Sequence, residues 1–164
     1  MRLIAIADDD CRIGRLDERA NVLVALGDLL DKTILSAANR YKASTILAVK
    51  GNHDFNSPFR KPIVDVHGVV FDVAGVRFGG FAGCWRYKPR GHFLFDQWEV
   101  RSLMRTFPKV DVFLAHNSPR GIHERDDHVH QGFDSFRDYI DREKPRYFIH
   151  GHQHRNQRTL YQQT

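Results

Sequence analysis

Aspartate, asparagine and histidine residues gather at five places along the chain, and each place follows an apolar run. The five segments are IAIADDD (4–10), GD (27–28), GNHD (51–54), LAH (114–116) and GHQH (151–154). Carboxylate, amide and imidazole groups without thiolates suit hard or borderline divalent ions. Their number exceeds the needs of one ion and matches two ions that share a bridging ligand. Two ions about 3.5–4 Å apart form the clamp used in hydrolytic phosphoryl transfer.

The first segment places three carboxylates side by side at the end of a predicted buried strand. Asp8, Asp9 and Asp10 repel one another, and divalent cations would offset that repulsion. In an extended segment Asp8 and Asp10 point to one side and Asp9 to the other, so Asp10 can reach the same ion as Asp8. The alternative is that Asp10 is a turn residue and the first metal site is weak or empty.

The elements that must position these groups alternate between strands and helices. Strands are predicted just before the five polar segments, at 2–7, 21–26, 45–49, 110–115 and in RYFIHGHQH. Helical spacing of apolar residues predicts helices around 34–41, 100–107 and 133–140, and Ala74-Gly75 joins a predicted hairpin at 69–81. Asp96 and Glu99 have the spacing of a capping box for the second helix. Because ligands bind beyond the carboxyl ends of strands in open α/β sheets, we expect the polar segments to meet at one rim.

Four of these motifs, in this order, resemble the calcineurin-like metallophosphoesterase superfamily: GDLLD (27–31), GNHD, His116 in LAHNSP, and GHQH. The likeness runs from Ile4 to His154, and GCWRYKP with GIHERDDHVHQGF is similar to small single-domain members. The resemblance implies an α/β fold: a two-sheet β-sandwich flanked by helices, in αββα layers. It also implies one domain over residues 1–164, short at its C-terminal edge because ten residues follow His154.

The resemblance further implies two divalent ions and a set of ligands. Asp8 and His154 would hold the first ion, Asp28 would bridge both, and Asn52, His116 and His152 would hold the second. His53 would lie beside the phosphate, Asp54 would orient His53, and Asp31 would act behind the ligands. The family usually begins with Asp-x-His where this chain has Asp8-Asp9-Asp10, and Asp10 is interpreted as an oxygen ligand of the first ion. Such a ligand set favours Mn²⁺, with Mg²⁺, Ni²⁺, Zn²⁺ or Fe as alternatives.

Other residues are assigned from charge and position alone. Arg86 and Lys88 are candidates for binding the negative charge of a substrate. His123 and Arg125 lie in HERDDH, which is either a loop over the site or a polar surface. Cys11, the neighbour of Asp10, is interpreted as a bystander rather than a soft extra ligand.

These observations predict a dinuclear-metal phosphoesterase that hydrolyses phosphate esters, phosphodiesters above all, by attack of a metal-bound hydroxide. The alternatives are a catalytically weakened module that binds metal or protein, and a metal-dependent nuclease. The formal charge of +5 suits an anionic substrate, but the basic residues are scattered rather than arranged in a nucleic-acid-binding stripe. No signal peptide or membrane span is predicted, and the two cysteines fit a reduced, cytoplasmic setting. The oligomeric state is left open, with a homo-oligomer as one option.

Overall fold

A computed structural model describes residues 1–10 and 18–164, so the interpretation of Cys11 lies outside the described residues. The strands are β1 Leu3–Ile6, β2 Val22–Ala25, β3 Thr45–Ala48, β4 Val64–Asp65, β5 Val70–Val73, β6 Val76–Phe81, β7 Cys84–Trp85, β8 Leu94–Phe95, β9 Val112–Ala115 and β10 Tyr147–His150. The helices are α1 Asp31–Tyr41, α2 Gln97–Met104 and α3 Asp134–Glu143. None of them is long and apolar enough to cross a bilayer.

Two sheets hold the strands that carry the polar segments. The first sheet has the order β1-β2-β3-β4 with every neighbouring pair parallel. The second has the order β10-β9-β6-β5, in which only β5 and β6 pair in the antiparallel sense. The strands β7 and β8 form a separate small parallel pair. Parallel pairing is what brings the carboxyl ends of β1, β2 and β3 to one edge, and likewise those of β9 and β10.

Alternating side chains divide the apolar core into layers. Leu23 packs toward α1 together with Ile34 and Tyr41. Its neighbour Val24 points the other way, into the space between the sheets, where it joins Leu114 of β9. A third cluster packs the far face of the second sheet against α2 and α3, through Phe113, Met104 and Phe136 among others. The order helix, sheet, sheet, helices confirms the predicted α/β sandwich.

The hairpin between β5 and β6 turns where the sequence predicts. Ala74 and Gly75 have φ values of 51° and 81°, so both central residues adopt left-handed conformations. Positive φ at both positions is the property of a type I′ turn, whose twist matches that of the strands it joins. Other connections were harder to predict, because β4, β7 and β8 are only two residues long and too short for an alternating pattern.

The predicted capping box at the start of α2 is present and is reinforced by an arginine. Glu99 accepts a hydrogen bond from the Asp96 backbone amide at 2.6 Å. Arg86 reaches both acids, with Nη2 3.0 Å from Glu99 and Nε 3.1 Å from Asp96. The amide of Asp96 and, less strongly, Arg86 lower the pKa of Glu99 below its usual range.

Glu99→Gln is expected to lower the free energy of unfolding by about 1 kcal/mol at pH 7, because it removes a charged acceptor at the helix start. A carboxyl whose pKa is lowered on folding stabilises the protein above its unfolded value and loses that contribution as the pH falls. The difference in free energy of unfolding between the variant and the parent should therefore become smaller below about pH 4. Urea unfolding at pH 7 and below about pH 4 measures this difference. Asp138→Asn, at an exposed position of α3, is the control. A difference that is equally large at low pH would contradict the charge-based explanation.

Candidate metal centre

The ends of β1, β2 and β3 on one sheet and of β9 and β10 on the other meet at a single place. The two sheets are joined there by the backbone amide of His152, which donates a hydrogen bond to Asp8 at 2.9 Å. In the first sheet, the Asp8 amide donates to the carbonyl oxygen of Gly27 at 3.2 Å. The predicted rim of ligand-type side chains is thus formed by both sheets together.

Four of the predicted ligands have an unusual backbone conformation. Asp8, Asp28, His152 and His154 have φ values of 63°, 56°, 64° and 50°. Non-glycine residues in this left-handed region cost about 1–3 kcal/mol each and are held there by their surroundings, most often at functional sites. All four residues follow closely after the end of β1, β2 or β10.

Two glycines allow the loops of this rim to approach closely. A side chain at Gly27, whose φ is 94°, would place its Cβ 2.5 Å from His116 Nδ1 and 2.6 Å from the Gly51 amide nitrogen. A Cβ at Gly51 would collide with the carboxylate of Asp28. The glycines of the GD and GNHD segments are therefore required by close packing around the ligands.

The centre of the rim is a buried cluster of two carboxylates and one imidazole. Ligand atoms of Asp8, Asp28 and His116 all lie within 4.8 Å of one another, the spacing of groups that could share an ion. His116 Nε2 is 3.5 Å from Asp28 Oδ2, and His116 Nδ1 is 3.9 Å from Asp8 Oδ1. Within the described ranges, no Lys or Arg nitrogen comes within 4.0 Å of Asp8 or Asp28. In the described part of the chain, lysine and arginine thus supply little positive charge to these carboxylates.

Hydrogen bonds indicate which ring nitrogen of His116 carries the proton and which one faces Asn52. Nδ1 lies 2.7 Å from the carbonyl oxygen of Leu26, which can only accept, so Nδ1 carries the proton and Nε2 is unprotonated. Nε2 faces Asn52 Oδ1 at 3.0 Å, and the amide of Asn52 is oriented because its Nδ2 donates to Tyr87 at 3.3 Å. Atoms of His116, Asn52 and Asp28 that can accept therefore converge. This set of donor atoms fits a divalent cation.

Burial raises the pKa of the carboxyl groups and lowers the pKa of the imidazoles at this site. Burial, and secondarily the Asp28 carboxylate, raises the pKa of Asp8 to about 7. Burial also raises the pKa of Asp28, although the His53 amide opposes it. Burial lowers the pKa of His116 to about 4 and that of His152 to about 3. Buried carboxylates in need of positive charge thus lie beside neutral imidazoles, the form that binds metals.

The two histidines of GHQH differ in their surroundings. His152 is buried, its ring lies 4.9 Å from that of His116, and its Nε2 donates to the carbonyl oxygen of Val129 at 3.3 Å. His154 is exposed, and its ring lies 6.1 Å from that of His130. The structure therefore places His152 next to the central cluster and His154 farther out, toward solvent.

Asp10 lies near the cluster but outside it. Its Oδ1 accepts a hydrogen bond from the Leu30 amide at 3.0 Å, just before α1. It also lines a cavity of about 510 Å³ together with Asp28 and His53. The assignment of Asp10 as a metal ligand stays a prediction.

His53 and Asp54, predicted to act on the substrate, occupy different positions. His53 is exposed in the same cavity, and its backbone amide donates to Asp28 at 2.8 Å. The carboxylate of Asp54 accepts from the amides of Gly51, Asp28 and Leu29 at 2.7, 2.9 and 3.2 Å. None of these three bonds involves the His53 ring, so the orientation of His53 by Asp54 stays a prediction. What the structure shows is that Asp54 ties the GNHD loop to the GDLLD loop.

The residues of this rim have the order and setting of a known enzyme family. The family described as calcineurin-like phosphoesterase matches residues 3–156. The chain belongs to this family. The resemblance seen in the sequence is confirmed, and membership supports a metal-dependent phosphoester hydrolase in general, without a particular substrate.

Solved structures support the fold of this phosphoesterase. One crystal structure is similar with a TM-score of 0.55 and 15% sequence identity, over 81% of this chain and 73% of that chain. At this identity the likeness concerns the fold alone. No match was found among curated proteins.

The four residues predicted to bind substrate in this phosphoesterase have partners within the protein. Arg86 contacts the two acids at the start of α2. Lys88 Nζ lies 5.0 Å from the ring centre of Tyr87. His123 is hydrogen-bonded to His150 at 3.1 Å and to Thr159 at 2.8 Å. Arg125 lies 3.4 Å from Asp127. Their binding of substrate stays a prediction.

Three residues near the phosphoesterase centre were missed by sequence reasoning. Tyr87 orients Asn52, and Gln153 holds the loop that follows His116. His130 contacts the rings of both GHQH histidines, and its hydrogen bond lowers the pKa of Asp127 to about 2. In the sequence, the contact between Asp127 and His130 is signalled only by their separation of three residues, a spacing that is common in polar loops.

Proposed function

We propose that this chain is a dinuclear-metal phosphoesterase that favours phosphodiesters. The observation that carries the proposal is the convergence of acceptor atoms from His116, Asn52 and Asp28. These acceptor atoms repel one another unless a cation lies between them. A set of oxygen and imidazole nitrogen ligands suits Mn²⁺, Mg²⁺ or Zn²⁺.

The ligands divide between two ions according to their positions. We assign Asp8 and His154 to the first ion, Asp28 to both, and Asn52, His116 and His152 to the second, with Asp10 as an additional oxygen for the first. When bound, two such ions supply a nucleophile at neutral pH and neutralise charge on a phosphoryl group. We favour Mn²⁺, because most of the ligand atoms assigned to the first ion are carboxylate oxygens.

His53 and the cavity beside it provide a place for the ester. The cavity continues from Asp28 and His53 to the basic residues Lys32 and Arg60 and to the exposed ring of Phe55. The side chains of Lys32 and Arg60 can attract the negative charge of the substrate. His53 can hydrogen-bond a phosphoryl oxygen or give a proton to the leaving alkoxide. A phosphodiester fits this arrangement because its leaving group needs that proton.

The proposal is tested by stripping the protein of metal and assaying a panel of generic monoesters and diesters with added Mn²⁺, Mg²⁺, Ni²⁺ or Zn²⁺. We expect hydrolysis only with metal, fastest with Mn²⁺, and a higher kcat/KM for the diester than for the monoester. A protein that binds two ions and hydrolyses nothing would instead be a binding module. A nuclease would show affinity for nucleic acid that falls steeply with salt. A cytoplasmic location is part of the proposal and rests on composition alone.

A further inference from the structure

A loop between β9 and α3 carries an imidazole that is held by a carboxylate. His130 Nδ1 lies 2.7 and 2.8 Å from the two carboxylate oxygens of Asp127. Because an ionised carboxylate only accepts, Nδ1 carries the proton, and in the neutral ring the lone pair is on Nε2. Histidines that bind metals are commonly oriented in this way, with the second nitrogen donating to a carboxylate.

Hydrogen bonds fasten this loop to the GHQH segment. The carbonyl oxygen of Val129 accepts from His152 Nε2 at 3.3 Å. Gln153, between the two GHQH histidines, donates from Nε2 to the carbonyl oxygen of His130 at 3.0 Å and accepts from the Arg125 amide at 3.1 Å. The position of His130 relative to His152 and His154 is therefore set by the backbone of both segments.

The His130 ring lies close to the rings of both GHQH histidines, and its distance from the His154 ring is compatible with two imidazoles on one ion. The centre of the His130 ring lies 4.9 Å from that of His152 and 6.1 Å from that of His154. With metal–nitrogen distances near 2.1 Å, two imidazoles on one ion have ring centres about 4.5–6.5 Å apart. The planes of His130 and His154 are nearly perpendicular, at 82°, so the pair is not a stacked contact.

The first ion of the proposed centre needs a further ligand. Asp8, Asp28 and His154, with Asp10 as the additional oxygen, would supply four groups, whereas Mg²⁺ takes six ligands. Asp10 is exposed and engaged with the Leu30 amide. His130 is largely buried, with 13% of its side chain exposed. The contact of its Nε2 with Arg125 Nη1 is long, at 3.4 Å, and is easily given up because Arg125 also has Asp127 as a partner.

We propose that His130, oriented by Asp127, is a ligand of the first divalent ion beside His154. The inference rests on the proposed dinuclear centre and adds a ligand to it from the loop at 120–131. It also gives that loop a function, because metal binding would join the loop to the strand ends of both sheets.

The test compares metal binding by the full chain, His130→Ala and His128→Ala. His128 is exposed two residues earlier in the same loop and is the matched control. Calorimetric titration of stripped protein with Mn²⁺ gives stoichiometry and affinity, and the visible absorption of the Co²⁺ form reports on the ligands. We expect two ions in the parent, a loss of affinity for one ion in His130→Ala that is at least the roughly 10–100-fold typical of a group behind a ligand, and no change in His128→Ala. Added imidazole should restore the affinity and the Co²⁺ spectrum of His130→Ala, which it would not do for a purely structural residue.

The outcomes separate this inference from the proposed function. A parent protein that binds no metal would refute both. Two ions with unchanged affinity and an unchanged Co²⁺ spectrum in His130→Ala would overturn the inference and leave the phosphoesterase proposal intact. Unchanged metal binding with a higher KM would also overturn it, since His130 would then contact the substrate. Circular dichroism of the metal-free variants checks folding, and His130→Gln replaces His130→Ala if the smaller side chain disrupts the loop.

Discussion

Replacement of Asp28 by asparagine is expected to reduce metal occupancy at both positions of the proposed centre, because this carboxylate is assigned to both ions. The substitution removes a charge while keeping the shape of the side chain, including an oxygen that can accept from the His53 amide now 2.8 Å away. The loss of affinity should exceed the roughly 10–100-fold typical of a group behind a ligand. Hydrolysis should fall with it by about 10³-fold or more, since the chemistry depends on the ions.

The measurement is metal content per chain after dialysis at fixed free Mn²⁺, together with kcat/KM. Asp72→Asn is the matched control, because exposed Asp72 also accepts a hydrogen bond from a backbone amide, that of Gly75, but lines neither the cluster nor the cavity. Its metal content should equal that of the parent. Two ions in Asp28→Asn would mean that the bridging ligand has been assigned to the wrong residue.

Replacement of His53 by alanine is expected to spare the metals and remove most of the hydrolysis of an alkyl phosphodiester. The imidazole is exposed in the cavity and only its backbone contacts Asp28, so the ligand cluster does not depend on the side chain. If His53 donates a proton to the leaving alkoxide, the loss is about 10²–10⁴-fold. An activated aryl ester, whose leaving group needs no proton, should be affected much less.

The ratio of the two rates in His53→Ala decides the role, with metal content measured on the same sample. His92→Ala, at an exposed histidine outside the cavity residues, should leave both rates unchanged. Full activity of His53→Ala on the alkyl diester would exclude His53 as the acid. An equal loss on both esters would indicate that His53 stabilises phosphoryl charge and does not transfer a proton.

The family and the fold class could be predicted from the sequence because both depend on local patterns. Apolar runs that end in Asp8, Asp28, Asn52 and His116 identified the strands, and parallel strands must bring their carboxyl ends to one edge. The hairpin at Ala74-Gly75 and the capping box at Asp96 and Glu99 are also local, since each is formed within a few residues. These features are encoded in neighbouring residues and could be predicted without knowing what packs against them.

The contacts between distant segments were decided only by the tertiary structure. The guanidinium of Arg86 contacts the start of α2, and no pattern in the sequence shows that this helix turns toward it. Asp54 holds backbone amides of another loop, and His130 reaches GHQH through a loop with no regular structure. The sequence by itself determined which chemical groups are present and that strand ends would carry them. Which groups face one another depended on the packing of two sheets, because those distances are set by residues far apart in the chain.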